Sequence, residues 1–428
     1  MNAARHPNHG YPGPGQPVRR SLGEGGAVIA AARRKAPLIL TVLFAITSCK
    51  ESTESSEEIS ENPAPQAKAN PTDSQSKQPN DWSITRGGPA LEGRVEASIP
   101  KNPSIDWTFD LDAPAMAEAA VADGLVGVGD IMGIIHGIDL KTRDSVWTHE
   151  TEDTIQAAPA ISKGRVFVGS GDNTFLALDL KSGDEIWSVD GDEKFPSAPI
   201  VTSSPDGSEE WVLVNGYDGV LRCLRTADGS PVWTFGIESY INGTPAIVDG
   251  KSVAFGGCDK FIYTLDLEKG VIENEVATDA EIISSVATSG NTIFCSTYVN
   301  QLVAATTEGD ELKWIYEAED FPFSSSPAVA PDHGLVYIGS KDRHLHAVRT
   351  DSGEGAWTFR TGGPVESSPL VFTDGVIFGS NDGRLYAVSH QGEELWKLDL
   401  GEKLTAPPVF AADRIIITGA KGTVFVIR

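Results

Sequence analysis

The sequence predicts an all-β protein, an eight-bladed β-propeller of four-stranded antiparallel blades, because three features repeat along the chain. The first feature is a tryptophan about every 40 residues, at Trp107, Trp147, Trp187, Trp233, Trp314, Trp357 and Trp396. The second is a glycine-rich turn between two apolar segments, and the third is a run of small residues before a proline. A large aromatic residue at such a period indicates one supersecondary unit copied many times and packed against its neighbours.

Apolar segments with a period of two lead into the glycine-rich turns, as at residues 165–168 and 375–378. Such segments, bounded by Gly, Asp and Asn, predict buried or half-buried strands. Small residues precede Pro159, Pro199 and Pro327, and small side chains let the innermost strands of neighbouring sheets converge near an axis. Four strands in about 40 residues, narrow inside and closed by an outer tryptophan, are typical of a propeller blade.

The two ends of the repeat array predict how the ring closes. Residues 423–428 have no outer tryptophan strand after them, and residues 104–109 have the outer-strand pattern with no blade before them. Pairing the N-terminal strand with the C-terminal blade completes an eighth blade and removes the free sheet edges. One tryptophan step is twice as long as the others, and we expect Glu273 at the position of the missing ring.

The N-terminal 80 residues differ in composition from the repeats. A basic cluster and an apolar run make residues 33–48 a predicted signal peptide. The ending at Cys49 resembles a bacterial lipobox, which implies lipidation of Cys49 and anchoring, by its neighbour Lys50, at the outer membrane facing the periplasm. Residues 49–80 predict a disordered tether, residues 81–428 the propeller, and residues 1–32 an unassigned extension that a start-site error explains.

Composition excludes one large class of partner. The formal net charge is −26 and no basic stripe is present, so nucleic-acid binding is not expected. Once Cys49 is assigned to the targeting signal, Cys223, Cys258 and Cys295 remain, without metal-type spacing. We expect all three to be small buried side chains on strands.

The units resemble the pyrroloquinoline-quinone (PQQ) repeat, with its Gly-Ser-x-Asp turn, Thr/Ser-Gly turn and outer tryptophan. Residues 181–187 and 350–357 match it best, and the resemblance covers residues 81–428. Lipobox, tether and eight such blades together are similar to the BamB family of outer-membrane assembly lipoproteins. That resemblance implies a monomeric, non-enzymatic propeller that binds protein partners in the cell envelope.

An enzyme is the main alternative, because quinoprotein dehydrogenases carry similar repeats. Their pattern implies an adjacent cysteine pair, a calcium site and an aspartate base, and the sequence has no Cys-Cys pair. Hydrolase, zinc-protease and nucleotide-binding motifs are also missing. We therefore predict no catalytic residue, cofactor or metal site. Asx-type turn bonds explain the recurring turn aspartates Asp172, Asp218, Asp259, Asp342 and Asp382.

The connections between each outer strand and the next blade form the candidate partner-binding face. Seven or eight residues after successive tryptophans come Ile155, Phe195, Tyr240, Phe321, Val365 and Leu404. The predicted binding residues are Phe195, Tyr240, Phe321, Phe323, Glu193, Glu238 and Glu319. If the four rings are exposed together, an interaction site is favoured; the alternative is that they pack the blade edges.

Three functions remain open from the sequence alone. The first is a lipid-anchored scaffold for protein–protein interaction in outer-membrane protein assembly. The second is a PQQ-dependent or other small-ligand periplasmic oxidoreductase. The third is a carbohydrate- or envelope-binding propeller. Missing cofactor residues favour the scaffold over the oxidoreductase.

Overall fold

The computed structural model describes residues 81–318 and 321–428, which contain 32 β-strands and two short 3-10 helices. The strands form eight four-stranded antiparallel sheets, so the predicted eight-bladed propeller is confirmed. The predicted signal peptide, Cys49 and the tether lie outside the described residues. Within the described ranges, no helix is both long enough and apolar enough to span a bilayer.

Strands are numbered in chain order, and in each blade the first strand is innermost and the fourth outermost. Strand β1 (Ile105–Asp110) belongs to blade 8. Blade 1 contains β2 (Ala120–Ala122), β3 (Leu125–Gly129), β4 (Ile134–Asp139) and β5 (Ser145–Glu150). Blade 2 contains β6 (Ala160–Ser162), β7 (Arg165–Gly169), β8 (Thr174–Asp179) and β9 (Glu185–Asp190). Blade 3 contains β10 (Ile200–Ser203), β11 (Glu210–Asn215), β12 (Val220–Arg225) and β13 (Pro231–Gly236). Blade 4 contains β14 (Ala246–Val248), β15 (Ser252–Gly256), β16 (Phe261–Asp266) and β17 (Ile272–Ala277).

The second half of the ring repeats this order until the last blade. Blade 5 contains β18 (Ala287–Ser289), β19 (Thr292–Ser296), β20 (Gln301–Thr306) and β21 (Trp314–Glu317). Blade 6 contains β22 (Ala328–Ala330), β23 (Leu335–Gly339), β24 (His344–Arg349) and β25 (Gly355–Arg360). Blade 7 contains β26 (Leu370–Phe372), β27 (Gly375–Gly379), β28 (Arg384–Ser389) and β29 (Glu394–Asp399). Blade 8 contains β30 (Val409–Ala411), β31 (Arg414–Thr418) and β32 (Thr423–Ile427), followed by β1. The 3-10 helices are η1 (Thr85–Gly87) and η2 (Pro331–His333).

Blade 8 closes the ring with both ends of the array, as predicted. Strand β32 lies between β31 and β1, with Phe109 opposite Val424 and Thr108 opposite Phe425. The ladder continues beyond the strands, where the backbone N–H of Arg428 donates to the carbonyl of Ser104 at 3.0 Å. The outer edge of the last blade is thereby supplied from the N-terminal side of the chain.

The outer tryptophans of blades 1, 2, 3, 5, 6 and 7 join each of these blades to the next. Six indole Nε1 groups donate to backbone carbonyls at 2.7–3.1 Å: Trp147 to Leu180, Trp187 to Thr226, Trp233 to Leu267, Trp314 to Thr350, Trp357 to His390 and Trp396 to Pro100. The rings also cover glycines; a Cβ added to Gly183, at φ +74°, would lie 2.6 Å from the Trp147 ring. The tryptophans therefore act as packing anchors between blades.

At the double-length tryptophan step, the expected position of Glu273 is wrong by one residue. Strand pairing places Asn274 opposite Thr264, the position that Trp233 takes opposite Cys223 in blade 3. The Asn274 amide donates to the carbonyl of Gly309 at 2.7 Å, in the turn of the next blade. Asn274 follows Trp233 by 41 residues, one more than the 40-residue steps from Trp107 to Trp147 and from Trp147 to Trp187, so a count at a fixed period misses it.

Residues 82–97, here called the strap, run across the central channel. Backbone bonds of 2.7–2.9 Å join the strap to the inner strands of blades 1, 2, 4, 5, 6 and 7, at Val121, Ile161, Ile247, Thr288, Val329 and Val371. Inner strands of a propeller leave one edge of backbone donors and acceptors unpaired toward the axis, and the strap satisfies part of that edge. It is tied down by Glu118, whose carboxylate accepts from the Trp82 indole at 2.6 Å and from the Thr85 hydroxyl at 2.7 Å.

The cysteine prediction is right for two of three positions. Cys223 in β12 and Cys295 in β19 are buried, and burial raises the pKa of the Cys295 thiol to about 12. Cys258 instead lies in the turn between β15 and β16, where it is partly exposed. Its sulfur accepts a hydrogen bond from the Asn242 amide at 2.8 Å.

Candidate functional site

One face of the ring is formed by two kinds of connection, and is here called the loop face. The first kind links the outer strand of one blade to the inner strand of the next, and the second is the turn between the second and third strands. In all eight blades a turn N–H donates to a carbonyl of the preceding connection at 2.8–3.2 Å: Ile131 to Pro114, Gly171 to Thr154, Tyr217 to Lys194, Cys258 to Tyr240, Tyr298 to Glu281, Lys341 to Pro322, Asn381 to Pro364 and Ala420 to Lys403. Turns and connections therefore form one continuous, backbone-braced surface.

Two of the four predicted aromatic residues are buried, so their assignment to an exposed face is wrong. Phe195 is 1% exposed and Phe323 is fully buried. Phe195 packs where Gly169 ends the second strand of blade 2, and a Cβ on that glycine would lie 2.5 Å from the Phe195 Cβ. Phe195 and Phe323 lie where the connection after a blade folds back onto the second strand of that blade, and they fill the space between the two. Ile155, Val365 and Leu404 have the same packing role.

Tyr240 and Phe321 are on the surface, with 57% and 50% of their side chains exposed. They precede the buried Ile241 and Phe323 by one and two residues, which turns their rings outward. Glu193 and Glu238 are exposed on the same face, and Glu319 lies outside the described residues. Counting seven or eight residues from each tryptophan therefore selects two different structural positions, one buried and one exposed.

The structure adds apolar residues that the sequence analysis did not select. Tyr298 and Val299 are exposed in the turn of blade 5, at 68% and 48%. The Tyr217 ring in the turn of blade 3 lies 5.4 Å from that of Tyr240, with the Lys194 ammonium 4.8 Å from its centroid. The aromatic arc, defined as Tyr217, Tyr240, Tyr298, Val299 and Phe321, extends over the loop face from blade 3 to blade 6.

A signal for the missed pair was present in the sequence. The blade 5 turn reads Thr297-Tyr298-Val299-Asn300, whereas the corresponding turn of every other blade carries Gly, Asp or both. An aromatic and a β-branched residue at the tip of a tight turn have no packing role within the blade. Such residues mark candidate binding positions.

The turn aspartates hold the turns of the loop face. Asp172, Asp218, Asp342 and Asp382 each accept the backbone N–H two residues later, at 2.8–3.1 Å. Burial alone would raise the pKa of Asp218, but hydrogen bonds from Arg222 and Val220 outweigh it and lower that pKa. The predicted Asx bonds are confirmed at these four positions.

Asp259 is the exception among the turn aspartates. It accepts instead from the Tyr263 hydroxyl at 2.6 Å, and its Oδ1 is buried without a partner. Tyr263 has its pKa raised by burial and by this carboxylate.

The central channel does not fit a calcium–quinone cofactor. Across residues 81–318 and 321–428, no three His, Cys, Asp or Glu side chains are grouped as metal ligands would be. The channel is lined mainly by Ala, Ser, Thr and Asn side chains next to prolines, with Arg86 and Glu118 as its charged groups. The Glu118 carboxylate already accepts from Trp82, Thr85 and the Arg86 backbone, so these residues do not match a calcium–quinone site.

Comparison with known proteins agrees with this architecture. The model of the family described as outer membrane protein assembly factor BamB matches residues 91–212, 217–357 and 300–428. BamB of Moranella endobia is 21% identical over 247 residues, which cover 53% of this chain and 61% of that protein. The chain thus spans less than two thirds of that relative's length.

Two solved structures share the fold. BamB from Moraxella catarrhalis superposes with a TM-score of 0.64 at 18% identity, covering 76% of this chain and 100% of that chain. Quinohemoprotein alcohol dehydrogenase from Comamonas testosteroni superposes with a TM-score of 0.65 at 15% identity, covering 81% of this chain and 80% of that chain. These likenesses concern the fold alone. The family model, by contrast, matches most of the chain, and the chain therefore belongs to the outer membrane protein assembly factor BamB family.

Proposed function

We propose that this chain is a non-enzymatic scaffold of the bacterial envelope that supports outer-membrane protein assembly by docking a protein partner on its loop face. Membership of the BamB family supports the process. The observation that carries the docking surface is the aromatic arc, where Tyr240, Tyr298 and Phe321 are each at least half exposed. Exposed aromatic rings on braced loops are typical of binding hot spots, because they bury much area at little entropic cost.

Charge on the loop face indicates the chemistry of the partner. Glu193 and Glu238 are exposed beside Phe195 and Tyr240, and the Glu281 carboxylate near Tyr298 is 43% exposed. Lys260 lies 3.9 Å from Glu281 and offsets only part of this charge. A partner surface with an apolar centre and a basic rim is complementary to such a face.

The N-terminal residues supply the proposed attachment. Lipidation at Cys49 would fix the chain to a membrane, and a flexible segment of about 31 residues has a typical reach of roughly 30 Å. That reach would let the propeller meet a partner held at the same membrane. The proposed location is the periplasmic side of the outer membrane.

The absence of enzymatic activity is part of the proposal. The turn aspartates are engaged in holding turns or in pairing with Arg222, Tyr263, His346 and Tyr386. Their repetition once per blade indicates a structural function rather than one assembled site. The oxidoreductase alternative is supported by the fold that the chain shares with a quinohemoprotein alcohol dehydrogenase. The residues that line the channel do not match a calcium–quinone site.

Site-specific photo-crosslinking in living cells tests the docking face. A photoreactive phenylalanine at Tyr240 or at Phe321 is expected to crosslink to a component of the outer-membrane protein assembly machinery, identified by mass spectrometry. The matched control places the same group at Glu268, which is exposed in the turn between β16 and β17 on the opposite face of blade 4. Equal capture of that component from Glu268, or its capture from neither loop-face position, would contradict the proposal.

A further inference from the structure

The side chain of Arg86 spans the central channel. Its backbone N–H donates to Glu118 of the connection before blade 1 at 3.0 Å, and its Nη2 donates to the carbonyl of Pro327 at the start of blade 6 at 3.2 Å. Arg86 is only 4% exposed. A strap residue thus places a largely buried guanidinium in the interior of the ring.

Two nitrogens of that guanidinium have no hydrogen-bond acceptor. Its Nε and Nη1 are buried and have no hydrogen-bond partner. The oxygens of Glu118 accept instead from the Trp82 indole, the Thr85 hydroxyl and the Arg86 backbone. A buried charged donor without an acceptor is destabilising, so the arrangement disfavours the free protein unless another group supplies an acceptor.

Burial lowers the pKa of Arg86 to about 10, against the opposing effect of Glu118. The guanidinium therefore still carries its charge at neutral pH. The same burial raises the pKa of the Glu118 carboxyl.

A cavity of about 170 Å³ adjoins Arg86 and opens toward the loop face. All eight blades contribute to its wall, with Arg86 and Glu118 joined by Ala158, Ser197, Thr244, Ser285, Ser326, Ser368 and Pro407. The cavity has room for several water molecules. It admits a compact organic group of a few heavy atoms.

We propose that this cavity binds a small monocarboxylate, toward which the Arg86 guanidinium turns so that its buried Nε and Nη1 donate to the carboxylate. The neighbouring Glu118 offsets part of the charge of the guanidinium, so the remaining attraction suits a monoanion better than a phosphate dianion. Small hydroxyl-bearing side chains around the wall supply further polar partners for such a ligand. This binding site is independent of the aromatic arc and of the partner proposed to dock there.

Calorimetry on the full chain tests the proposal, with N-acetylglycine as the probe and its neutral amide, N-acetylglycinamide, as the matched control at constant ionic strength. The acid is expected to bind and the amide to bind at least tenfold more weakly. Arg86→Gln should weaken binding of the acid at least tenfold, whereas Arg384→Gln, which removes an exposed cation on blade 7, should leave it unchanged. Equal binding of acid and amide, or unchanged affinity in Arg86→Gln, would overturn the proposal.

Two further measurements keep the test decisive if Arg86→Gln does not fold. Ala158→Leu fills the cavity without changing its charge, and it should abolish binding of the acid. In the wild-type chain with 15N-labelled arginine, the acid should shift the Arg86 Nε resonance in a saturable manner, and the amide should not. No shift of that resonance up to the solubility limit of the acid would count against the site.

Discussion

Asn274 and Gly309 form the link between blades 4 and 5 that an indole forms elsewhere in the ring. The Asn274 amide donates to the Gly309 carbonyl at 2.7 Å and to the Thr306 carbonyl at 3.3 Å. The hydrogen bond of the tryptophan position is therefore retained at this junction, while the large buried ring is lost. This junction has less apolar contact than its neighbours, because an amide covers far less surface than an indole.

Asn274→Ala should lower the free energy of unfolding by about 1 kcal/mol, because it removes the hydrogen bonds between blades 4 and 5. The adjacent Glu273 accepts only from the exposed Ser252 hydroxyl at 2.7 Å, and Glu273→Ala should change stability by less than about 0.5 kcal/mol. Urea denaturation of the two variants measures the difference. A larger effect of Glu273→Ala would show that the register assigned here is incorrect.

Gly183→Ala and Gly164→Ala separate backbone strain from ring contact. Both glycines belong to blade 2 and have φ of +74°, but only Gly183 lies under the Trp147 ring. Alanine at Gly164, where nothing lies within 4 Å of the new Cβ, should cost about 1–2 kcal/mol for the left-handed backbone alone. Alanine at Gly183 should cost more, because the ring must move, and thermal unfolding followed by circular dichroism compares the two.

Stability should fall with acidification partly through His390. Burial lowers its pKa below the ordinary 6.5, and the stacked His333 ring, 3.7 Å away, adds to the effect. The unfolded chain therefore binds a proton at this residue between pH 6.5 and the lower folded-state pKa, whereas the folded chain does not. Its contribution is fully present above pH 6.5 and is lost as the pH falls below that value.

Urea titrations at pH 7.5 and pH 5.5 measure this dependence. His390→Gln should reduce the loss of stability between the two pH values. His149→Gln, on the outer strand β5, is the matched control and should leave the loss unchanged. Identical pH dependence in the wild type and in His390→Gln would exclude His390 as a source.

The double variant Tyr240→Ala/Phe321→Ala should weaken association with the proposed assembly partner at least about tenfold, since exposed aromatic anchors dominate protein interfaces. Its melting temperature should stay close to that of the wild type, because both rings are half exposed. Leu395→Ala removes an exposed apolar side chain from the outer strand β29 and serves as the control. Co-purification from cells at matched expression measures the association.

Cys49→Ser should release the protein from membranes if the proposed lipid anchor is correct. Fractionation of cells should then move the chain from the membrane pellet to the soluble periplasm, and labelling with a radioactive fatty acid should be lost. Lys50→Ala is the neighbouring control, and it should leave labelling intact. Fatty-acid label retained in Cys49→Ser would assign the modification to another residue.

The sequence was informative wherever the repeat was strict. Blade number, the pairing of β1 with β32 and the anchoring role of Trp147 follow from periodicity, because each copy constrains the next. Prediction failed where the copies differ by one residue. Phe195 is buried and Tyr240 exposed, although both follow a tryptophan by seven or eight residues.

Other features depend on contacts distant in sequence. Arg86 meets Pro327 across 241 residues, and no local pattern carries that information. Tyr298 had a local signal, because its turn lacks the glycine or aspartate that the corresponding turns of the other blades carry. The fixed period does not reveal this signal, since it concerns one blade that departs from the repeat.

The position of β32 between β1 and β31 imposes an order on folding. When a chain is delivered from its N-terminal side, β1 emerges early and then stays unpaired while seven complete blades follow. Its neighbour is delivered only with residues 423–427. During that interval the exposed edge of β1 is open to pairing with other chains, so the last five-residue strand to arrive ends the period in which the ring can aggregate through this edge.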